Sequence, residues 1–182
     1  MTTIAEVLDP AYVADLGDLT LDDVRSKRDQ AQRVENGVSY LRRLAQGHLD
    51  IVNHERARRR EGGPTAEPGA TGDLTELIGR LPDILAEHGR GPGSGRPPQD
   101  LDPAVVPPEL EAGLETIVDG ADMAALTSLD DGTLDELAAR LGAFEGEVSA
   151  RRQELHVCID TLHDEIKRRY RDGEASVDSL LN

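Results

Sequence analysis

The sequence predicts an all-α fold: a long antiparallel helical hairpin, coiled-coil-like, with short additional helices and flexible Gly/Pro-rich connectors. Two long charged stretches carry apolar residues at helical spacing. Between them lie "GGPTAEPGATG" and "GRGPGSGRPPQ", whose composition suits connectors. Aromatics are 2% of the 182 residues, with Phe144 the single Phe and no Trp, while 31% are charged. The apolar content is mostly Leu, Val, Ile and Ala, which suits a thin helix–helix seam better than a large conventional core.

Residues 1–18 read as an N-terminal arm with at most one short helix. The first long helix occupies 19–60. Thr20 is its predicted N-cap, Asp22 and Asp23 sit in the first turn, and Arg56, Arg58, Arg59 and Arg60 crowd the last turn before "GGP" at 62–64. Residues 61–128 form a linker with short amphipathic helices. In "DLTELIGRLPDILAEHG", Asp73 would cap and Pro82 would kink a helix whose apolar face is Leu74, Leu77, Ile78, Leu81 and Leu85. Another helix is predicted over 108–119 with Leu110, Leu114, Ile117 and Val118 inward, and helical tendency resumes near 121–126. These middle helices suit end caps of the hairpin and partner-binding elements equally. The second long helix occupies 129–172, with Thr133 and Glu136 at capping-box spacing and Lys167, Arg168, Arg169 and Arg171 before Gly173. Residues 173–182 are a tail.

Net charge is −16, from 36 acids against 20 bases. Such a chain has no general attraction to DNA or anionic membranes, and it suits a partner with basic surfaces. An anionic ligand would need local arginines. No apolar run approaches membrane length, and "MTTIAEVLDP" lacks the regions of a signal peptide. Cys158 is alone, so there is no disulfide framework. The expectation is a soluble cytoplasmic protein with no membrane or direct nucleic-acid partner.

The first long helix contains "ENGVSYLRRLAQGHLD", in which Glu35, Ser39, Arg42, Gln46 and Asp50 share one face. At roughly 100° per residue they fall within an arc of about 80°. A shift of about 110 residues carries four of them onto Glu145, Ser149, Arg152 and Asp160 in "EGEVSARRQELHVCID", with His156 in the place of Gln46. The same shift maps Val38 to Val148, Glu55 to Glu165, and Arg58 and Arg59 to Arg168 and Arg169. The polar stripe repeats better than its surroundings, the reverse of a merely structural repeat.

Each polar stripe has an apolar neighbour one residue earlier: Val34, Val38, Leu41, Ala45 and Leu49 in the first helix. In the second these are Leu137, Leu141, Phe144, Val148, Leu155, Ile159, Leu162 and Ile166, interrupted by Arg151. Zipping the apolar stripes would bring both polar stripes to the lips of one groove. Antiparallel packing places each basic C-terminal turn near the other helix's acidic start. It also relates the two motifs by a pseudo-twofold axis, so a monomer would offer a site suited to a twofold ligand.

A carboxylate accepts from guanine N1–H and its exocyclic amine, and an arginine forks onto O6 and N7 or bonds phosphate. Ser, Gln and His add neutral hydrogen bonds. Two acids per stripe would repel a simple anion, so the set fits a guanine nucleotide better. Rival readings remain. His48, Asp50 and His54, or His156, Asp160 and His163, could be metal ligands, but Asn53 breaks the repeat where His163 would need a counterpart. No phosphate loop or nucleophile–base pair suggests an enzyme, and Cys158 reads as a small buried apolar residue. A ligand-independent coiled-coil adaptor or scaffold, with salt-bridged stripes, is the main alternative.

The doubled pattern Glu-x3-Ser-x2-Arg-x3-Gln/His-x3-Asp on a helical hairpin resembles the RsiG family of actinobacterial anti-sigma factors, which bind cyclic di-GMP. The resemblance implies that Glu35, Ser39, Arg42, Gln46, Asp50, Glu145, Ser149, Arg152 and Asp160 hold a cyclic di-GMP dimer. His156 departs from the pattern, although it can donate and accept as Gln does. The resemblance further implies a sporulation sigma factor of the WhiG type as partner, sequestered from RNA polymerase by the loaded protein.

Overall fold

A computed structural model of the chain describes residues 2–62, 106–118, 123 and 125–173. The order is α1 (Ile4–Leu8), 3₁₀ turns at Pro10–Tyr12 and Leu16–Asp18, α2 (Leu21–Arg60), α3 (Pro108–Ile117), a 3₁₀ turn at Leu126–Ser128, and α4 (Asp131–Arg171). There is no strand among the described residues. The fold is an all-α helical hairpin, as the two long periodic stretches predict. The helix predicted over 73–89 and nearly all of the C-terminal tail lie outside the described residues.

Local chemistry accounts for the helix ends. Thr20 caps α2 reciprocally: Asp23 N donates to Thr20 Oγ1 at 3.1 Å, and Thr20 N donates to Asp23 Oδ2 at 3.3 Å. For α4 the expected cap moves. The helix begins at Asp131, and Asp130 accepts from Thr133 N at 2.9 Å and from its hydroxyl at 2.7 Å. Thr133 therefore lies inside the first turn, because a carboxylate preceding it offers two acceptors to the same residue. Both helices stop at a glycine with left-handed φ, +88° at Gly62 and +74° at Gly173, a conformation L-residues rarely adopt. In the arm, Thr3 and Glu6 form a capping box for α1. The two 3₁₀ turns that follow were not foreseen from the sequence.

The chain divides into two compact units that cut across both long helices. Among the described residues, one comprises 2–40, 106–107 and 148–173, and the other 41–62, 108–118, 123 and 125–147. In the first, Ile4, Val7, Leu16, Val24, Ala31, Val34 and Val38 are buried, as are Val148, Leu155, Ile159, Leu162 and Ile166. In the second, Leu41, Ala45 and Val52 are buried, as are Leu134, Leu137, Leu141 and Phe144. Each fully buried Val or Leu contributes about 1.5–3 kcal/mol, so these seams are the main favourable term. Leu49 and the intruding Arg151 are half-buried. Helix α3 belongs to the second unit, where Leu110 and Leu114 are buried and Ile117 and Val118 only half so. A Cβ on Gly113 would meet the Phe144 ring at 3.4 Å, and Arg140 Nη2 donates to Thr116 O at 2.9 Å.

Within each unit the two helical stretches are antiparallel and tied by one buried arginine. Arg169, 6% exposed, donates through Nε to Glu165 Oε1 at 2.7 Å, through Nη1 to Leu19 O at 2.7 Å, and through Nη2 to Leu16 O. Arg59 donates through Nε to Glu55 Oε1 at 2.7 Å. It also reaches Leu129 O at 2.7 Å, Leu126 O at 3.2 Å and Asp131 Oδ1 at 2.8 Å. The offset relating Arg59 to Arg169 also relates Glu55 to Glu165, Leu16 to Leu126 and Leu19 to Leu129. Each arginine thus satisfies carbonyls of the 3₁₀ turn that launches the other helix. Arg58 and Arg168 add a second fork onto the same glutamates, at 2.7 and 2.9 Å.

Hydrogen bonds from Arg168 and Arg169 pull the Glu165 carboxyl from its ordinary 4.5 down to about 2. Burial opposes the shift at Glu55, but Arg58 and Arg59 still hold that carboxyl below its usual range. A depressed folded-state value adds stability that is complete above the unfolded value and lost as pH falls through the folded one. Helicity should therefore fail progressively as pH drops from 4.5 towards about 2, and Glu165→Gln should flatten that loss, followed by circular dichroism. Arg169→Ala should cost about 3 kcal/mol in urea unfolding, because it strands the carbonyls of Leu16 and Leu19 and removes one of the two cations on Glu165. Arg168→Ala, on a half-exposed side chain, should cost under about 1 kcal/mol.

Candidate functional site

The polar stripes run beside the packing seams because a one-residue offset turns a helical face by about 100°. The division of the chain distributes them. The first unit holds Glu35 and Ser39 from α2 with Ser149, Arg152, His156 and Asp160 from α4. The second holds Arg42, Gln46 and Asp50 from α2 with Glu145 from α4.

In the first unit Glu35 is 5% exposed, a rare position for a carboxylate. Ser39 Oγ donates to its Oε1 at 2.6 Å, and Gln32 Nε2 donates to its Oε2 at 3.0 Å. Across the seam, His156 Nε2 lies 3.4 Å from Oε1. Burial of the acid is tolerable because three polar partners surround it. None of the three is a permanent cation. Ser149, Arg152 and His156 are half-buried and Asp160 is exposed.

In the second unit Glu145 Oε1 takes the equivalent place. Gln46 Nε2 donates to it from the facing helix at 3.2 Å, and Arg42 Nη1 donates at 3.3 Å. The pairing of Gln46 with Glu145 is thus repeated by His156 with Glu35, as an antiparallel duplicated motif requires. The arginine contact is not repeated: among the described residues Arg152 makes no pair with Glu35. Arg42 Nε is buried with no hydrogen-bond partner, an orphaned donor beside a carboxylate-rich stripe. Asp50 is half-buried.

The structure therefore brings together two subsets, Glu35–Ser39–His156 and Arg42–Gln46–Glu145. Ser149, Arg152, Asp50 and Asp160 complete the stripes. Gln32 was missed by the sequence reading; it lies three residues before Glu35, and only the burial of Glu35 reveals its role. The Leu16 and Leu126 turns were also missed, although the same repeat offset relates them. His48 Nδ1 and His54 Nε2 are buried without partners, and burial lowers the His48 imidazole's affinity for a proton. Among the described residues no three His, Cys, Asp or Glu side chains converge as a metal site. No helix among them is long and apolar enough to cross a membrane.

The Arg42–Glu145 pair is about one quarter exposed on both sides. Its coupling free energy, from a double-mutant cycle with Arg42→Ala and Glu145→Ala, should be under about 1 kcal/mol. A large coupling in the ligand-free protein would mark the stripe as a structural lock.

A family model described as RsiG-like matches residues 10–85 and 120–182. No curated protein matches the chain.

Proposed function

Because the chain belongs to the RsiG-like family of anti-sigma factors, we propose that it is a cyclic di-GMP-dependent one. On this reading the polar stripes bind a cyclic di-GMP dimer between the two helices. The loaded protein then sequesters a WhiG-type sigma factor and blocks transcription of sporulation genes. It acts by binding and not by catalysis, in the cytoplasm.

The supporting observation is the pair of carboxylates held against the facing helix, Glu35 at His156 and Glu145 at Gln46. Each can exchange a neutral neighbour for the N1–H and exocyclic amine of a guanine. The buried, unpartnered Nε of Arg42 is a donor suited to a phosphate or guanine oxygen. Glu35, Ser39, Arg42, Gln46 and Asp50, with Glu145, Ser149, Arg152, His156 and Asp160, would hold the ligand. With four aromatic residues in the whole chain, bound bases would stack on arginine planes or on one another.

The Arg42–Glu145 ion pair favours a second reading, a ligand-independent adaptor whose stripes pair with each other. The two differ in chemistry. An ion pair tolerates Arg42→Lys, whereas guanine or phosphate recognition needs the planar fork.

Calorimetry with cyclic di-GMP, with and without sigma factor, separates them. Binding should appear, and sigma should raise nucleotide affinity by the factor by which nucleotide raises sigma affinity. No heat in either titration, at ligand well above micromolar, would end this proposal. Asp50→Lys with Asp160→Lys should abolish binding and leave helicity intact. His156→Gln, which restores the residue found at Gln46, should keep affinity within a few-fold of the unaltered chain.

A further inference from the structure

On the first unit, the N-terminal arm and α4 enclose an apolar groove of about 290 Å³. The arm contributes Val7, Leu8, Pro10 and Val13, and α4 contributes Val157, Cys158 and Thr161. Val157 is 64% exposed, the most exposed of the large hydrophobic side chains among the described residues. Only two charged residues line the groove, Asp9 and Glu154, and both are acidic. The arm is fixed in advance. Ile4 and Val7 are buried, and Tyr12 Oη donates to Lys27 O at 2.7 Å. Lys27, in return, donates to Tyr12 O at 2.7 Å and lies over the Tyr12 ring.

The geometry points to this groove as the docking site for one amphipathic helix of the partner sigma factor, anchored by aliphatic side chains and flanked by Lys or Arg. The assignment rests on the anti-sigma reading of the chain and not on its nucleotide. An open groove of this size sits at the lower edge of the range for a small-molecule pocket, and its shallow apolar lining suits the i, i+3, i+4 anchors of a helix. The acidic rim selects basic flanks, and with a net charge of −16 it opposes a second copy of this chain as occupant. A groove already held in shape spares the ordering cost of binding. Its face is also separate from the polar stripe. Measured from Asp160, the stripe residue nearest to them, Val157 and Glu154 are turned by about 60° and about 120°, so the groove faces away from the centre of the stripe.

The test is titration of the full chain, in excess cyclic di-GMP, with purified WhiG-type sigma factor, using Val157→Lys, Glu154→Lys and, as a control outside the groove, Leu44→Lys. Both groove variants should weaken sigma binding at least about tenfold, as central anchor and charge changes do. They should leave helicity and cyclic di-GMP affinity, measured without sigma, unchanged; Leu44→Lys should bind sigma normally. Folded groove variants with unaltered sigma affinity would overturn the assignment while leaving the anti-sigma reading standing. If the unaltered chain fails to bind sigma, both fall. Sedimentation showing a self-associated chain that Val157→Lys converts to monomer would give the groove to a second copy and overturn the assignment.

Discussion

The arrangement depends on a buried arginine used twice. Arg59 and Arg169 each reach from the last turns of one long helix to the carbonyls of the 3₁₀ turn that starts the other. A guanidinium has five donors and no acceptor, so it can satisfy an acid on its own helix and several carbonyls on the next at once. Such a contact sets direction as well as proximity: the end of one helix must lie by the beginning of the other. Antiparallel pairing, and with it the opposition of one motif to the other, follows. Glu55 and Glu165 keep each guanidinium in place, and Arg58 and Arg168 share the resulting negative charge.

With pairing direction set, the offset between apolar and polar stripes decides what the seams expose. Residues one position apart on a helix cannot share a face, so the stripe beside a packing seam lies at its edge. There a carboxylate can be buried, as Glu35 is, and still meet polar groups from both helices. The two copies use this in unequal ways. Glu145 has a fixed cation in Arg42, whereas Glu35 is surrounded by a hydroxyl, an amide and an imidazole. The sequence difference between Gln46 and His156 therefore sits where the local electrostatics also differ.

Much of this was legible beforehand. The periodicity of Val34, Val38 and Leu41, and of Leu141, Phe144 and Val148, announced both long helices and their buried faces, because packing repeats with the turn of the helix. Thr20 announced one start. Asp130 displaced Thr133 at the other, since an acid and a hydroxyl three residues apart can both serve as caps and local spacing does not choose between them. The repeat identified Glu55, Arg58 and Arg59 with their partners. It did not reveal that Arg59 and Arg169 grip carbonyls, because main-chain acceptors leave no mark on residue identity.

The sequence by itself determined the two helices, their duplicated polar face and the membership of each stripe, all of which are written in spacing along one chain. It also carried the family resemblance, which rests on those same residues. Tertiary structure alone decided which groups of the two copies meet. Gln46 lies against Glu145 and His156 against Glu35, while Arg152 is left out of the pairing that Arg42 makes. It likewise decided that the N-terminal arm folds onto α4 and leaves Val157 exposed in the lining of an acidic-rimmed groove. Such facts depend on distances between residues far apart in the chain, and those distances are set by packing and by hydrogen bonds to backbone, neither of which has a period to read.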